Sequence, residues 1–152
     1  NEENDMIEVG TMTEYDADVA AAMGKLLAVL SAKYNGDAVS RELLEEIIES
    51  PWHDVLLAFD GDELVGMASM SVLMGTLVQR VAYLEDFVVA KNKQGQGIGT
   101  TIWQEIIAWS KKKGCKRLEF TSSGKAEKAG AVEFYKKLGA EVRDTNCFRY
   151  EL

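Results

Sequence analysis

The chain has 152 residues, 47% of them hydrophobic and 28% charged, which is the composition of one globular domain with one core. Seventeen basic and 25 acidic residues give a formal net charge of −8, so the overall field repels nucleic acid. The single histidine and the two cysteines exclude a multi-histidine metal site and a disulfide framework. No apolar run approaches the roughly 18 residues that a membrane helix needs. We therefore expect a single cytoplasmic domain over residues 1–152, with no metal and no nucleic-acid or membrane partner.

Apolar residues recur at strand-like or helical spacing along the whole chain. The predicted strands, in chain order, cover residues 6–10, 54–59, 63–72, 81–90 and 117–121. The predicted helices run from the region of Thr13 to Leu30, from Ser40 to just before Pro51, from Ile98 to Lys113, and from Ala129 to Leu138. Thr13 with Asp16 resembles a capping box that opens the first helix. The tail from Glu141 to Leu152 is predicted to form a final hairpin. This order is typical of an α/β fold, a mixed sheet with helices on both faces.

A glycine-rich segment, from Lys91 to Gly99, joins the fourth predicted strand to a helix. N–H groups at a helix start, with no Cβ atoms in the way, suit a phosphate group. The Walker pattern does not fit, because no Lys-Ser or Lys-Thr follows these glycines. The Rossmann pattern does not fit either, because the position that needs a glycine is Thr100. A phosphate site and a ligand-free turn remain the two alternatives.

The segment resembles the Q/R-x-x-G-x-G/A loop of the GNAT acetyltransferase superfamily, with Gln94, Gly97 and Gly99 at the pattern positions. In that family the amides of this loop bind the pyrophosphate of coenzyme A. The resemblance implies acetyl-CoA as co-substrate and the GNAT fold, a mixed, mostly antiparallel sheet split into a V between strands 81–90 and 117–122. It implies a cofactor-binding loop formed by Gln94, Gly95, Gln96, Gly97, Ile98, Gly99 and Thr100.

Two acidic residues, Glu85 and Asp86, interrupt the apolar strand before the loop. Unpaired acids in a buried strand are costly, so at least one should face a cleft or a polar side. Strict alternation puts Glu85 and Phe87 on one side and Asp86 and Val88 on the other, and a bulge would change this assignment. A surface-facing pair or a structural salt bridge is the alternative to a role in a site.

The wording Leu-Glu-Asp-Phe also resembles the spermidine/spermine N-acetyltransferases, in which an acid at the Glu85 position helps to accept the proton of the amine. The choice between Glu85 and Asp86 as base stays open. By resemblance, the backbone of Phe87, Val88 and Val89 contacts the pantetheine arm. The Val88 N–H is the candidate for polarising the thioester carbonyl.

The segment from Ala131 to Ala140 resembles the second motif of the family, A-x-x-x-Y-x-x-x-G-F. Tyr135 falls where many members place the general acid, and a phenol can protonate the leaving thiolate or hold it by a hydrogen bond. A helix core residue is the alternative role for Tyr135. The segment departs from the pattern at Ala140, and an asparagine often found earlier in the family is Lys128 here, which puts one pantetheine contact in doubt.

These motifs together predict an N-acetyltransferase that moves an acetyl group from acetyl-CoA directly to an amine. The acidic balance favours a small cationic acceptor such as a polyamine. The first two helices and residues 73–80 are expected to build the acceptor pocket. A non-catalytic acyl-CoA sensor, a protein or peptide N-acetyltransferase, and a plain interaction domain remain alternatives. An acyl-enzyme on Cys115 or Cys147 has no base to support it. A homodimer is left as an open expectation.

Overall fold

The computed structural model describes residues 6–122 and 129–152. The chain comprises two compact units, Asn1–Phe120 and Thr121–Leu152. The first unit contains a five-stranded sheet in the order β1-β2-β3-β4-β5. The strands are β1 (Ile7–Thr11), β2 (His53–Asp60), β3 (Glu63–Gly75), β4 (Gln79–Val89) and β5 (Arg117–Glu119). The first four strands pair antiparallel and β5 pairs parallel with β4, which confirms the predicted mixed, mostly antiparallel sheet.

The helices also agree with the sequence pattern. The first unit holds α1 (Ala17–Leu30), α2 (Arg41–Glu49) and α3 (Ile98–Lys112), and the second unit holds α4 (Ala129–Lys137). Ser40 caps α2, its hydroxyl accepting a hydrogen bond from the Leu43 N–H at 3.2 Å. None of the helices in the described ranges is long and apolar enough to span a membrane.

The start of α1 differs from the prediction. The N-cap is Asp16, whose side chain accepts a hydrogen bond from the Val19 N–H at 3.0 Å, so the capping box opened by Thr13 is wrong. The Met12 N–H donates to the Val55 carbonyl at 3.0 Å. This bond keeps the chain extended against β2 through Met12, and the helix begins only after the chain has left the sheet.

Helices cover both faces of the sheet. On one face, residues of α1 and α2 pack against β2, β3 and β4 in a single buried cluster that includes Met23, Leu44 and Met67. On the opposite face, Gly66 lies against α3, because a Cβ built on it would stand 2.6 Å from the Ile102 Cδ1 atom. A side chain at position 66 would require the end of the Ile102 side chain to shift. The predicted arrangement of helices on both faces is confirmed.

Polar contacts fix the C-terminal end of α3. The Trp109 indole N–H donates to an Asp54 carboxylate oxygen at 2.7 Å, and the Lys113 ammonium donates to the Pro51 carbonyl at 2.9 Å. The Arg80 guanidinium donates to the Lys113 carbonyl at 3.0 Å. These bonds tie the helix to β2 and β4, so α3 and its N-terminus hold a fixed position relative to the sheet.

The predicted C-terminal hairpin is wrong. The structure describes all of residues 141–152, and it assigns none of them to a strand. The apolar side chains of Phe148 and Tyr150 are exposed. An isolated two-stranded hairpin is marginal in water, because it gains too little buried apolar surface to offset the entropy of ordering the chain.

Candidate active site

β4 and β5 separate along their length. Their pairing begins at Val81 and Arg117 and ends at Tyr83 and Glu119, whereas β4 continues to Val89 beside β3. From Leu84 onward the side of β4 that faces away from β3 therefore has no paired strand among the described residues. This divergence is the V-shaped splay that the family resemblance implies.

A β-bulge lies in β4 at the start of the splay. Met67 pairs with Val88 and Ser69 pairs with Glu85, so the single residue between them on β3 faces both Asp86 and Phe87. Asp86 has a φ of 49°, in the left-handed region that side-chain-bearing residues rarely adopt. Strained backbone of this kind and bulges both occur often at functional sites.

The bulge changes which side chains share a face of the sheet. Residues directly opposite each other on antiparallel strands point to the same face. Glu85 pairs with Ser69, and Val88 pairs with Met67, so both stand on the face covered by α1 and α2. Strict alternation, which placed Glu85 and Val88 on opposite faces, is wrong for this strand. The Glu85 side chain is exposed, whereas Val88 is buried.

The direction of the β4 amides follows from one hydrogen bond beyond the strand. The Ala90 N–H donates to the Val65 carbonyl at 2.8 Å. In an antiparallel ladder every second residue points its N–H and C=O to the same neighbour, so Val88 also points to β3 and Val89 points away from it. The Gln94 side-chain amide agrees with this direction, because it donates to the Val89 carbonyl at 3.2 Å. The outward amide in the splay is therefore that of Val89, not the predicted Val88 N–H.

The glycine-rich segment follows directly. A 3-10 turn, Lys91–Lys93, leads to Gly95 and Gly97, whose φ values are 80° and 83°. Gly97 is the N-cap of α3, and no side chain in the described part of the chain caps this helix start. A Cβ built on Gly95 would have no heavy atom within 4 Å. Within residues 6–122 and 129–152 no side chain accepts a hydrogen bond from the first amides of α3, and the backbone at Gly95 is open, which fits a phosphate group.

The predicted loop residues meet at this junction but differ in their exposure. Gln94, Gly95 and Gln96 are exposed, whereas the Ile98 side chain is buried, 3% exposed. Ile98 therefore contributes its backbone and not its side chain to a ligand site. The Lys93 ammonium lies 3.6 Å from the Asp60 carboxylate, and this ion pair anchors the loop to the β2–β3 turn.

A strip of polar side chains, which the sequence analysis missed, extends from Glu85 across the same face of the sheet. His53 of β2 pairs with Ser71 of β3, and Ser71 pairs with Tyr83 of β4. The neighbouring row is Ser69 with Glu85. These five side chains, the polar strip, are exposed or half-buried. The signal was present in the sequence as two serines at strand spacing in β3, but it points to a surface only when the register is known.

Tyr135 lies on α4 in the second unit. Its ring meets that of Phe134 edge to face, with centroids 5.4 Å apart, and its backbone carbonyl accepts a hydrogen bond from the Ala140 N–H at 3.0 Å. Burial raises the pKa of the Tyr135 phenol, so the group stays protonated through neutral pH. Lys128, where the sequence departs from the family pattern, lies outside the described residues.

The two cysteines differ in environment. Cys115 is half-buried and Cys147 is exposed. Burial raises the pKa of the Cys115 thiol, against the opposing influence of Arg80 and Lys113. A raised pKa leaves Cys115 as a thiol at neutral pH, which is a poor nucleophile.

Comparison with known proteins gives one family. The chain matches the Acetyltransferase (GNAT) family over residues 23–140. It is 31% identical over 113 residues to a thialysine N-epsilon-acetyltransferase of Bos taurus, covering 72% of this chain and 62% of that protein. The corresponding Mus musculus protein is 33% identical over 99 residues, which cover 65% of this chain and 54% of the relative. The chain thus spans less than two thirds of the length of these relatives.

Solved structures agree on the fold. An aminoglycoside acetyltransferase from an uncultured soil metagenomic sample, in complex with sisomicin, has a TM-score of 0.83 at 20% identity and covers 98% of both chains. A GNAT family acetyltransferase of Staphylococcus aureus has a TM-score of 0.74 at 18% identity, covering 97% of this chain and 99% of that one. At this identity the likeness concerns the fold alone. Because the family match includes β4, the glycine-rich segment and all of α4, the chain belongs to the GNAT acetyltransferase family, as the two motifs predicted.

Proposed function

We propose that the protein transfers an acetyl group from acetyl-CoA to the primary amine of a small cationic molecule. The observation that carries the proposal is the junction of β4 and α3. There, two left-handed glycines lead into a helix start that none of the described side chains caps, directly after a strand that has separated from its neighbour. A phosphate site beside an open strand edge suits a substrate with a diphosphate and a long amide-containing arm.

Acetyl-CoA would bind along this junction. Its pyrophosphate would lie on the amides of Gly95 to Thr100, favoured by the positive end of the α3 dipole. Its pantetheine arm would lie in the splay and run along the edge of β4 that faces away from β3, as an added strand does. The outward Val89 N–H would then donate to the thioester oxygen as negative charge develops on it.

The acceptor would approach from the face covered by α1 and α2. An amine is an ammonium ion at neutral pH and must lose a proton before its nitrogen can attack the carbonyl carbon. We assign this proton to Glu85, directly or through water, because its exposed side chain stands on that face as part of the polar strip. Asp86 sits at the bulge itself, and we assign it a part in the backbone geometry rather than in proton transfer.

Loss of coenzyme A completes the reaction. After the nitrogen attacks, the carbon–sulfur bond breaks, and the sulfur leaves as a thiolate that takes up a proton. A thiolate has a conjugate pKa of about 8.5, below the ordinary tyrosine value of about 10, and burial raises the Tyr135 pKa further. Full transfer of the phenol proton is therefore uphill. We assign Tyr135 the part of a hydrogen-bond donor that stabilises the departing sulfur.

The acceptor class rests on charge and on the polar strip. Glu85, Asp86 and the net charge of −8 favour an ammonium group over a neutral or anionic one. The hydroxyl groups of Ser69, Ser71 and Tyr83 supply donors and acceptors for a second polar group. The similarity to thialysine N-epsilon-acetyltransferases supports a lysine-like amine, and polyamines share the same charge pattern.

Three further expectations, on domain organisation, location and assembly, belong to the same proposal. We infer that residues 1–152 act as one acetyltransferase domain, since the family match crosses the boundary between the two units. A cytoplasmic location is supported by two free cysteines, which a reducing compartment keeps as thiols. A homodimer is the expected assembly.

The test is a thiol-release assay with acetyl-CoA against a panel of thialysine, lysine, spermidine, an aminoglycoside and a lysine-containing peptide. We expect turnover with the small cationic amines and a thermal shift with coenzyme A. The control is Gly97→Val, in which a β-branched residue must adopt a φ of 83° next to the phosphates; this variant should lose both signals.

Each other outcome has a definite meaning. Binding of coenzyme A without turnover of any amine would favour the acyl-CoA sensor. Turnover of the peptide only would favour a protein N-acetyltransferase. Absence of any thermal shift in the wild type would refute the acetyl-CoA site itself.

A further inference from the structure

The polar strip ends on a third row of side chains that is apolar. Along β3 and β4 the paired rows on this face are, in order, Ser69 with Glu85, Ser71 with Tyr83, and Leu73 with Val81. Every second residue of a strand points to the same face, so all three rows stand on the acceptor side, the face covered by α1 and α2. Leu73 is 50% exposed and Val81 is half-buried. These two residues, the apolar row, therefore offer hydrocarbon to a molecule that lies along the strip.

The next pair of residues points the other way. Met74 pairs with Arg80, and the Arg80 guanidinium donates to the Lys113 carbonyl at the end of α3, the helix that covers the opposite face. Met74 is exposed but does not share a face with Glu85. The expectation that residues 73–80 build the acceptor pocket thus narrows to the side chains on the acceptor side, which include Leu73 and not Met74.

Strand geometry sets the spacing of the three rows. A strand rises by about 3.4 Å per residue, so the row of Ser71 and Tyr83 lies about 7 Å from that of Glu85, and the apolar row lies about 13 Å from it. An acceptor whose nitrogen lies at Glu85 would therefore meet hydroxyl groups at the middle row and hydrocarbon at the far row.

The charges beside the apolar row disfavour a second ammonium group there. Val81 pairs with Arg117 of β5, and Tyr83 pairs with Glu119. The Arg117 guanidinium lies 3.6 Å from the Glu119 carboxylate, so this acid already has a cationic partner. A polyamine would bring its second ammonium group close to the Arg117 guanidinium, and like charges repel. A neutral hydrocarbon end avoids this cost and gains from leaving water.

We propose that the acceptor is a primary amine with an uncharged polar group in its middle and an apolar end, and that this apolar end lies on Leu73 and Val81. The inference rests on the proposed function, because it uses Glu85 as the position of the amine nitrogen. It narrows the acceptor class from small cations in general to amphipathic molecules with one positive charge.

The first experiment measures thiol release with the mono-N-acyl derivatives of diaminopropane that carry acetyl, butanoyl, hexanoyl and octanoyl groups. All four have one primary amine and one amide, so they differ only in hydrocarbon. For the wild type, KM should fall by about two- to fourfold for each added CH₂ that the apolar row covers, and by at least about tenfold from acetyl to octanoyl. The kcat should change little, because the hydrocarbon binds equally in the ground state and in the transition state.

Three variants test whether Leu73 and Val81 cause this dependence. Leu73→Thr removes hydrocarbon from the row, and Met74→Thr makes a matched change at the neighbouring residue on the opposite face. Threonine suits a strand, so both should fold. The ratio of the acetyl KM to the octanoyl KM should fall by at least about fivefold in Leu73→Thr and should keep its wild-type value in Met74→Thr. Val81→Thr replaces one methyl group by a hydroxyl and should lower the ratio by a smaller factor.

The second experiment needs no turnover. Titration calorimetry gives the dissociation constants of the acetyl and octanoyl compounds for the protein saturated with coenzyme A, with the same variants. A chain-length dependence that Leu73→Thr removes, without turnover of any amine, would support the apolar row and refute the proposed reaction. Equal ratios in Leu73→Thr and Met74→Thr, no dependence on chain length in the wild type, or a lower KM for spermidine than for the octanoyl compound would overturn the inference and leave acetyl transfer to short amines intact.

Discussion

The assignment of separate parts to the two acids of β4 rests on the bulge, and a set of substitutions at Asp86 tests it. Its φ of 49° costs an ordinary L-residue roughly 1–2 kcal/mol, while asparagine and aspartate tolerate this region and glycine adopts it freely. Asp86→Asn keeps the backbone preference and removes the charge. Asp86→Ala removes the tolerance along with the charge.

The expected stabilities follow from these preferences. The free energy of unfolding of Asp86→Asn should equal that of the wild type within experimental error. Asp86→Ala should lose about 1 kcal/mol, which for a chain of this size lowers the Tm by about 2–4 °C. Asp86→Gly should lie between the two, because glycine fits the native φ but has more conformational entropy to lose on folding.

The expected rates separate geometry from proton transfer. Asp86→Asn should retain most of the kcat measured by thiol release, whereas Glu85→Gln, the matched change at the neighbouring acid, should lower kcat by about 10²–10⁴-fold. If Asp86→Asn were as inactive as Glu85→Gln, the proton acceptor would be Asp86 or both acids. If Asp86→Ala were as stable as Asp86→Asn, the left-handed conformation would not control the bulge.

Four further outcomes are expected. Val89→Pro removes an outward amide and should lower kcat with a small change in Tm. Val88→Pro removes a ladder hydrogen bond to β3 and should destabilise the fold. Equal stability of the two variants would refute the assigned direction of the β4 amides. Tyr135→Phe should lower kcat by about ten- to a thousand-fold. Because burial raises the pKa of the Tyr135 phenol, the folded state holds this proton more tightly than the unfolded chain does. The contribution of Tyr135 to stability should therefore be lost as the pH rises above about 10. The measurement is the difference in denaturation midpoint between wild type and Tyr135→Phe as a function of pH. Iodoacetamide should alkylate Cys147 faster than Cys115 at neutral pH, by peptide mass mapping, and a reversed order would contradict the raised thiol pKa of Cys115.

The elements of this chain were predictable from sequence because each carries its own signal. The apolar spacing, the cap at Ser40 and the glycines at 95 and 97 act within a few residues, and the structure places each where the pattern indicates. The N-cap of α1 shows the limit of prediction from local sequence patterns. Thr13 and Asp16 are both good N-cap residues, and the choice between them depends on the bond from Met12 to Val55, a contact that no local pattern reports.

The register-dependent parts of the site were not predictable for the same reason. Which amide of β4 points into the splay, and which side chains share a face with Glu85, depend on pairing with β3. A one-residue insertion reverses the answer.

The bulge explains why an apolar strand tolerates two consecutive acids. In an uninterrupted ladder that keeps Met67 opposite Val88, Ser69 would pair with Asp86, and Glu85 would turn to the opposite face. That face lies under α3, where Leu84 is 4% exposed, and an unpaired carboxylate there would carry a large desolvation cost. With the extra residue, Ser69 pairs with Glu85 instead, and both acids stay exposed. One strained residue thus keeps Val88 in the core and directs Glu85 to the acceptor side.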